Sequence, residues 1–491
     1  MTAFSQIALL SHGMITAGLP PACSTQKAVG IVALSKGTGF PYFMRKISLQ
    51  TCFALLLALV LSAGCRTVQR ARAVQNPASL QPGERTVRMA ELALDTHAVL
   101  TLEEAVRLAV TNSPAVFQAR ASLAIAECNL QEARADYLPQ VGGAAGYTRT
   151  KDYAPVSEAA NAYSAGLSFS QELLSFGRQD AALHQARAQC EAAATLVQAA
   201  VNNAVYNARK AFFDLALAQD LLGISIENVH DFAVHLDQVR IMAELGTRIR
   251  YDITKAEVDL GNARLAALNA SNTLLTARVT LGRTLGLAEE FPCPIAALPP
   301  ALPPVAENRD ALYSRGRRNN PELAALQCQA NAASDAVDFA IADLRPDLSF
   351  DAGFSWSGGS FPLGRSWSFG PSLDWSLFNG WRKTSALDAA TAQLQASRSQ
   401  IADREQKLFQ DLITALIQLQ TARAQAGVAE VVVRSARETL DLVASRYRLG
   451  LATAVELTDA QTAVAQARTQ QVQARHDELA AQALILLNTG E

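Results

Sequence analysis

The chain of 491 residues says nearly the same thing twice. The segments "TNSPAVFQARASLAIAECNLQEARADYLPQV" and "RNNPELAALQCQANAASDAVDFAIADLRPDL" place Pro114 and Pro321 207 residues apart, and Pro139 and Pro346 the same distance apart. Later landmarks stay nearly in step: Gly177 and Gly380 are separated by 203, while Gly223 with Gly427 and Gly246 with Gly450 are separated by 204. Landmarks held at so steady an offset across half the chain indicate an internal duplication. It constrains the fold more than any other feature, because whatever one copy builds, the other must build beside it.

Each copy reads as the same series of elements. A helix of about 25 residues begins at the first proline and stops at the second, since proline fits a helix start and ends one elsewhere. Two strand candidates follow, at 141–150 and 162–173 in the first copy and at 347–357 and 366–377 in the second. The second-copy pair alternates strictly. Phe350, Phe354 and Trp356 in one strand, and Trp367, Phe369 and Trp375 in the other, are separated by Ser, Gly and Asp. A period of two gives a strand one apolar and one polar face.

Long proline-free stretches come next. The run 178–245 is 68 residues, which as one helix reaches about 100 Å. Val229, Phe232, Leu236, Val239 and Ala243, and in the second copy Leu440, Val443 and Tyr447, recur at spacings of three and four, the seam of a packed helical hairpin. Gly246 and Gly450 mark the turns from which a second helix runs back. The copies span 100–290 and 307–491, joined by a Pro-rich linker at 291–306.

The N-terminus reads as an export signal. From Met44, "MRKISLQTCFALLLALVLSAGC" has a basic start, an apolar run too short to span a bilayer, and small residues before Cys65. The ending "LSAGC" resembles a bacterial lipoprotein signal, which implies 44–64 as the signal peptide, Cys65 as the lipidated residue, 65–99 as a tether and 1–43 as an upstream extension. The alternative is an ordinary secretory signal with an incidental cysteine. A net charge of −2 gives no electrostatic case for nucleic acid.

Four strands of about ten residues with an aromatic face fit a membrane barrel wall, which must close because an open edge is not tolerated in lipid. Four cannot close a barrel when the smallest common ones have about eight. Three identical chains sharing a 12-stranded barrel solve the problem. The expected fold is therefore mainly α with a small β-barrel, internally duplicated, with long coiled helical hairpins. On this reading Phe350, Phe354, Trp356, Trp367, Phe369 and Trp375 face lipid.

From residue 100 onward the chain resembles the TolC-like outer-membrane efflux family and its lipoprotein branch. The resemblance is carried by "LTLEEAVRLAVTNSPAV", "AECNLQEARADYLPQV", "FSQELLSFGRQ" and "SRYRLGLATAVELTDAQTAVAQAR". It implies a homotrimer lipid-anchored in the outer membrane of a Gram-negative bacterium. A periplasmic tunnel of helices would meet an adaptor protein and an inner-membrane transporter. It also implies that Gly246, Thr247, Gly450 and Leu451 form the adaptor-contact tips, and that Tyr447 and Asp252 hold a periplasmic gate closed. The family's best-known member also uses an Arg two residues after the second glycine. This chain has Ala452 there, so that half of the lock is absent, and Arg248 of the other copy is only a candidate replacement. Glu456 and Asp459 match acids that ring the family's constriction and favour cations. From the residues alone, Tyr447 fits a packing seam equally well, and the two acids fit the dipole of a helix start.

Enzymatic readings find little. "GFSWSGG" lacks the G-x-S-x-G of a nucleophile elbow, and His230 and His235 point to different helix faces, so neither a catalytic residue nor a metal or cofactor is expected. A periplasmic coiled-coil lipoprotein adaptor would share the signal and the hairpins, but not the aromatic-faced strands.

Overall fold

The computed structural model describes residues 99–151, 160–246, 249–287, 291, 294–296 and 308–490. The chain separates into two units, Met1–Pro82 and Gly83–Glu491, and every described residue belongs to the second. The extension 1–43, the signal 44–64, Cys65, Thr247 and Arg248 lie outside the described residues.

The first repeat runs α1 (Leu102–Asn112), α2 (Pro114–Ala135), β1 (Gln140–Thr150), β2 (Ala160–Leu174), α3 (Arg178–Glu244) and α4 (Arg250–Thr284). The second runs α5 (Arg309–Asn319), α6 (Pro321–Ala342), β3 (Asp347–Gly358), β4 (Gly364–Asp374), α7 (Arg382–Arg448) and α8 (Ala454–Thr489). The paired helices match almost residue for residue: α2 and α6 are 22 residues each, α3 and α7 are 67.

Local chemistry sets the boundaries. Pro114 and Pro321 occupy first-turn positions, where their missing N–H costs nothing, and the Asn320 side chain accepts from the N–H groups of Glu322 and Leu323. The helix expected to reach Pro139 stops at Ala135, and a turn intervenes before β1. Helices α1 and α5 are additional to the expected elements. Thr101 and Glu104 form a reciprocal capping box at the start of α1, a T-x-x-E signal readable in the sequence.

The expected linker is anchored where it begins. Phe291 is fully buried, and Leu100 and Ile295 form a parallel bridge. Leu100 and Ala296 donate backbone hydrogen bonds across it to Pro294 and Leu100 respectively. Phe291 joins Phe212, Phe213, Leu281 and Leu479 in the main core, which knits α1, α3, α4 and α8 together. A second core of Leu312, Leu408, Leu412, Leu416 and Ile485 joins α5, α7 and α8. Each core therefore takes side chains from α8, so neither repeat's core is complete without the C-terminal helix.

The four strands form one antiparallel sheet in the order β1-β2-β3-β4. The two repeats meet at β2 and β3, where Leu167 pairs with Phe354 and Phe169 with Ala352, interrupted by a bulge between Glu172 and Leu174. Strand β4 ends at Asp374 rather than 377, so Trp375 lies just beyond it, its indole N–H donating to the Leu344 carbonyl at 3.3 Å.

Candidate functional site

Registers across the sheet align the aromatic residues of its four strands on one face. Tyr147 lies opposite Tyr163, Phe354 between Leu167 and Trp367, and Ala352 between Phe169 and Phe369. Aromatic contacts run along this face: Tyr147–Tyr163 at 5.0 Å, Phe354–Trp356 at 4.5 Å, and Trp367 stacked on Phe369 at 5.5 Å between ring centroids. Phe350, Phe354, Trp356, Trp367 and Phe369 all belong to it. Among the described residues no helix packs along either face of the sheet. Trp367 and Phe369 consequently stay 71% and 67% exposed, unlike the aromatic residues of a sheet packed on helices.

The opposite face carries Gly, Ser and Asp. At its centre Asp351 accepts hydrogen bonds from three hydroxyls: Ser170 at 2.8 Å, Ser349 at 2.9 Å and Ser372 at 2.5 Å. Ser355 and Ser366 share another at 2.6 Å. Sequence alternation marked Asp351 only as polar-facing. Its hydroxyl partners come from three different strands, two of them distant in sequence, so no local pattern could announce the cluster.

A charged collar joins sheet to helices. Arg178 of α3 reaches Glu172 of β2 at 2.9 Å and Asp347 of β3 at 3.2 Å, tying the two repeats together. The Tyr137 hydroxyl donates to Asp180 at 2.5 Å, and burial together with that carboxylate pushes its pKa up to about 12. Further along, α8 is pinned to α3 by Arg468 on Glu227 and by His476 on Asp214 at 2.8 Å. Burial pulls the His476 pKa down. The carboxylates of Asp214 and of Asp477, at 3.1 Å, outweigh it and leave the group above its ordinary value.

At the far end, α3 and α7 both terminate in Leu-Gly. Gly246 and Gly450 take φ of 74° and 75°, the left-handed conformation that closes a helix without a Cβ penalty. The Gly450 N–H donates to the Tyr447 carbonyl and the Leu451 N–H to that of Arg446. Around these turns Leu245, Ile249, Tyr251, Leu449 and Leu451 are all exposed, giving an apolar tip.

Tyr447 is 1% exposed, packed with Ala452, Leu457, Met242, Leu440 and Val443. Its ring lies 5.5 Å from that of His235 on α3, itself 2% exposed. Tyr447 thus packs across from one hairpin to the other. From the sequence His235 is of interest only as half of a metal pair with His230 that their spacing disfavours. Its place among Phe232, Leu236 and Val239 on the α3 seam is the signal that identifies it as packing.

The duplication relates Asp252 to Glu456, 204 residues on, and both stand in the first turn of a returning helix. They are not used alike. Glu456 closes a capping box with Thr453, accepting from its hydroxyl at 3.0 Å while its own N–H donates back at 3.2 Å. The equivalent of Thr453 is Ile249, which has no side-chain oxygen, and Asp252 sits half-buried beside it without that role. Asp459 is exposed one turn beyond Glu456. Among the described residues no cluster of three or more His, Cys, Asp or Glu could hold a metal ion.

The model of the family described as outer membrane efflux protein matches residues 105–287 and 312–491, both repeats in turn. Outer membrane efflux protein BepC of Brucella suis is 24% identical over 401 residues, covering 79% of this chain and 85% of that protein. Outer membrane protein OprJ of Pseudomonas aeruginosa is 27% identical over 379 residues, covering 73% and 78%. A solved membrane protein from Pseudomonas aeruginosa superposes with a TM-score of 0.72 at 22% identity, over 79% of this chain and 90% of that one.

Proposed function

The chain belongs to the outer membrane efflux protein family, and on that premise we propose that three copies close their sheets into one 12-stranded barrel in the outer membrane of a Gram-negative cell. The observation that carries this reading is the sheet. It has one aromatic-rich face, one face mainly of Gly, Ser, Thr and Asp, and two open edges, β1 and β4, and among the described residues no helix covers either face. In a closed barrel the first face meets lipid, the second lines a wet lumen, and the edges disappear.

The long hairpins then extend the lumen as a periplasmic tunnel, and the protein acts as a passive export duct in an efflux or secretion system. Lipidation at Cys65 tethers it. The exposed apolar residues beside Gly246 and Gly450, Leu451 among them, offer the surface for a periplasmic adaptor, which couples the duct to an inner-membrane transporter. Tyr447 serves as the gate's packing element against His235, with Asp252 and Arg248 at the neighbouring turn. Glu456 and Asp459 present carboxylates at the entrance.

The protein-only mass of the detergent-extracted particle, from light scattering corrected for bound detergent, tests the reading. Three chains per particle are expected. A monomer that leaves the membrane without detergent would overturn it and favour a periplasmic adaptor.

A further inference from the structure

The charged residues of the sheet are sorted by face. Strands β1 to β4 contain six, and the registers put all four acids, Glu172, Asp347, Asp351 and Asp374, on the polar face. Both bases, Arg149 and Arg365, fall on the aromatic face, two residues from Tyr147 and Trp367 respectively. The sorting continues along the strands. Glu172, Asp347 and Asp374 lie at or near the ends that join the helices, whereas Arg149 and Arg365 each stand one residue inside the opposite, hairpin end of a strand.

Neither base has an acidic partner. Both are exposed, their rung partners Asn161 and Trp356 are uncharged, and among the described residues neither makes an ion pair. An uncompensated arginine on a lipid-facing surface is costly at the bilayer midplane and nearly free at the interface, which fits its place at a strand end. Aromatic rings mark the same level. Tyr163 lies 5.0 Å from Tyr147 and 5.3 Å from Phe361 between ring centroids, and the Tyr147 hydroxyl donates to Asn161 at 3.1 Å. Rings with a polar tip gather where hydrocarbon gives way to headgroups. Two open guanidinium groups at that depth meet the headgroups themselves.

This inference rests on the barrel reading above and deepens it by naming the lipid that the wall takes. We propose that Arg149 and Arg365 bind phosphate groups of the glycolipid in the outer leaflet of the outer membrane. A planar guanidinium presents paired N–H donors that match phosphate oxygens, and an anionic headgroup supplies the charge that each arginine lacks. The polar face carries acids only and repels the same group, so the charge pattern selects the outside of the wall. The leaflet follows from topology. Helices α3 and α7 both leave the sheet at one end, the periplasmic end of a closed barrel, and both arginines stand at the other. The leaflet on that side is built of lipid A, whose sugars carry phosphates.

Native mass spectrometry of the detergent-extracted full chain tests this with three added lipids: lipid A, lipid A stripped of its phosphates, and phosphatidylglycerol. The parent particle should retain lipid A with an apparent affinity about tenfold or more above that for the dephosphorylated form. Arg149→Gln with Arg365→Gln should erase that preference at unchanged particle mass. Arg149→Lys with Arg365→Lys should keep part of it, because the charge survives without the fork. Comparing the two forms of lipid A on the parent chain needs no variant, so it decides even where the glutamine pair fails to assemble. Equal retention of both forms by the parent, or a preference untouched in the glutamine pair, would overturn the site. Stronger retention of phosphatidylglycerol than of lipid A would overturn its assignment to the outer leaflet. Either result in a particle of three chains leaves the shared barrel standing, whereas a monomer that leaves the membrane without detergent overturns both.

Discussion

Truncating Tyr447 should loosen the helical tip while leaving the rest of the protein folded. The side chain is 1% exposed and contacts both hairpins, so Tyr447→Ala removes an almost fully buried aromatic residue. Large-to-small changes of this kind cost about 3–5 kcal/mol. The two main cores are assembled from other residues. The loss therefore falls on local opening of the tip, whose open population should rise by about two orders of magnitude at roughly 3 kcal/mol, since each 1.4 kcal/mol is tenfold. Tyr447→Phe keeps the ring and its packing on His235, and loses only what the hydroxyl contributes, about 1 kcal/mol. Single-channel conductance in planar bilayers, with hydrogen exchange over 235–252 and 440–457, separates the two variants. Tyr447→Ala should conduct much more and exchange faster at the tip, while Tyr447→Phe stays near the parent. Equal effects from both variants would refute packing as the lock and assign it to the hydroxyl. No effect from either would remove Tyr447 from the gate.

The remaining expectations concern groups that join strands and repeats. His476 is held above its ordinary pKa in the folded protein, so its contribution is fully present below about pH 6.5 and is lost as pH rises through the folded value. The melting-temperature advantage of the parent over His476→Gln should therefore shrink between pH 5 and pH 9, from an interaction of about 1–2 kcal/mol; a gap that widens at high pH would contradict it. Asp351→Asn, which retains the shape of the hydroxyl-ringed side chain, should reduce cation preference in the reversal potential under a KCl gradient. An unchanged potential would mean that the sheet's polar face contributes nothing to ion selectivity.

The duplication, the period of two in the strands, and the proline-free helical runs were all readable in order along the chain, because each is a local pattern that tertiary contacts did not override. The 67-residue helices α3 and α7, the turns at Gly246 and Gly450, and the aromatic face of β3 and β4 appeared where those patterns placed them. Helix α1 is additional to the elements that periodicity marks, although its capping box is written in Thr101 and Glu104, and β4 stops short of Trp375 because alternation does not mark where pairing ends. Tertiary structure alone decided that Tyr447 meets His235 and that three serines surround Asp351. It also decided that Glu456 caps its helix while its counterpart Asp252 does not, and that Phe291 fills the core rather than a free linker. The physical reason is separation in sequence. Periodicity reports which face of an element is apolar, but a partner from another hairpin or another strand is chosen by packing, and packing exists only once the repeats have come together.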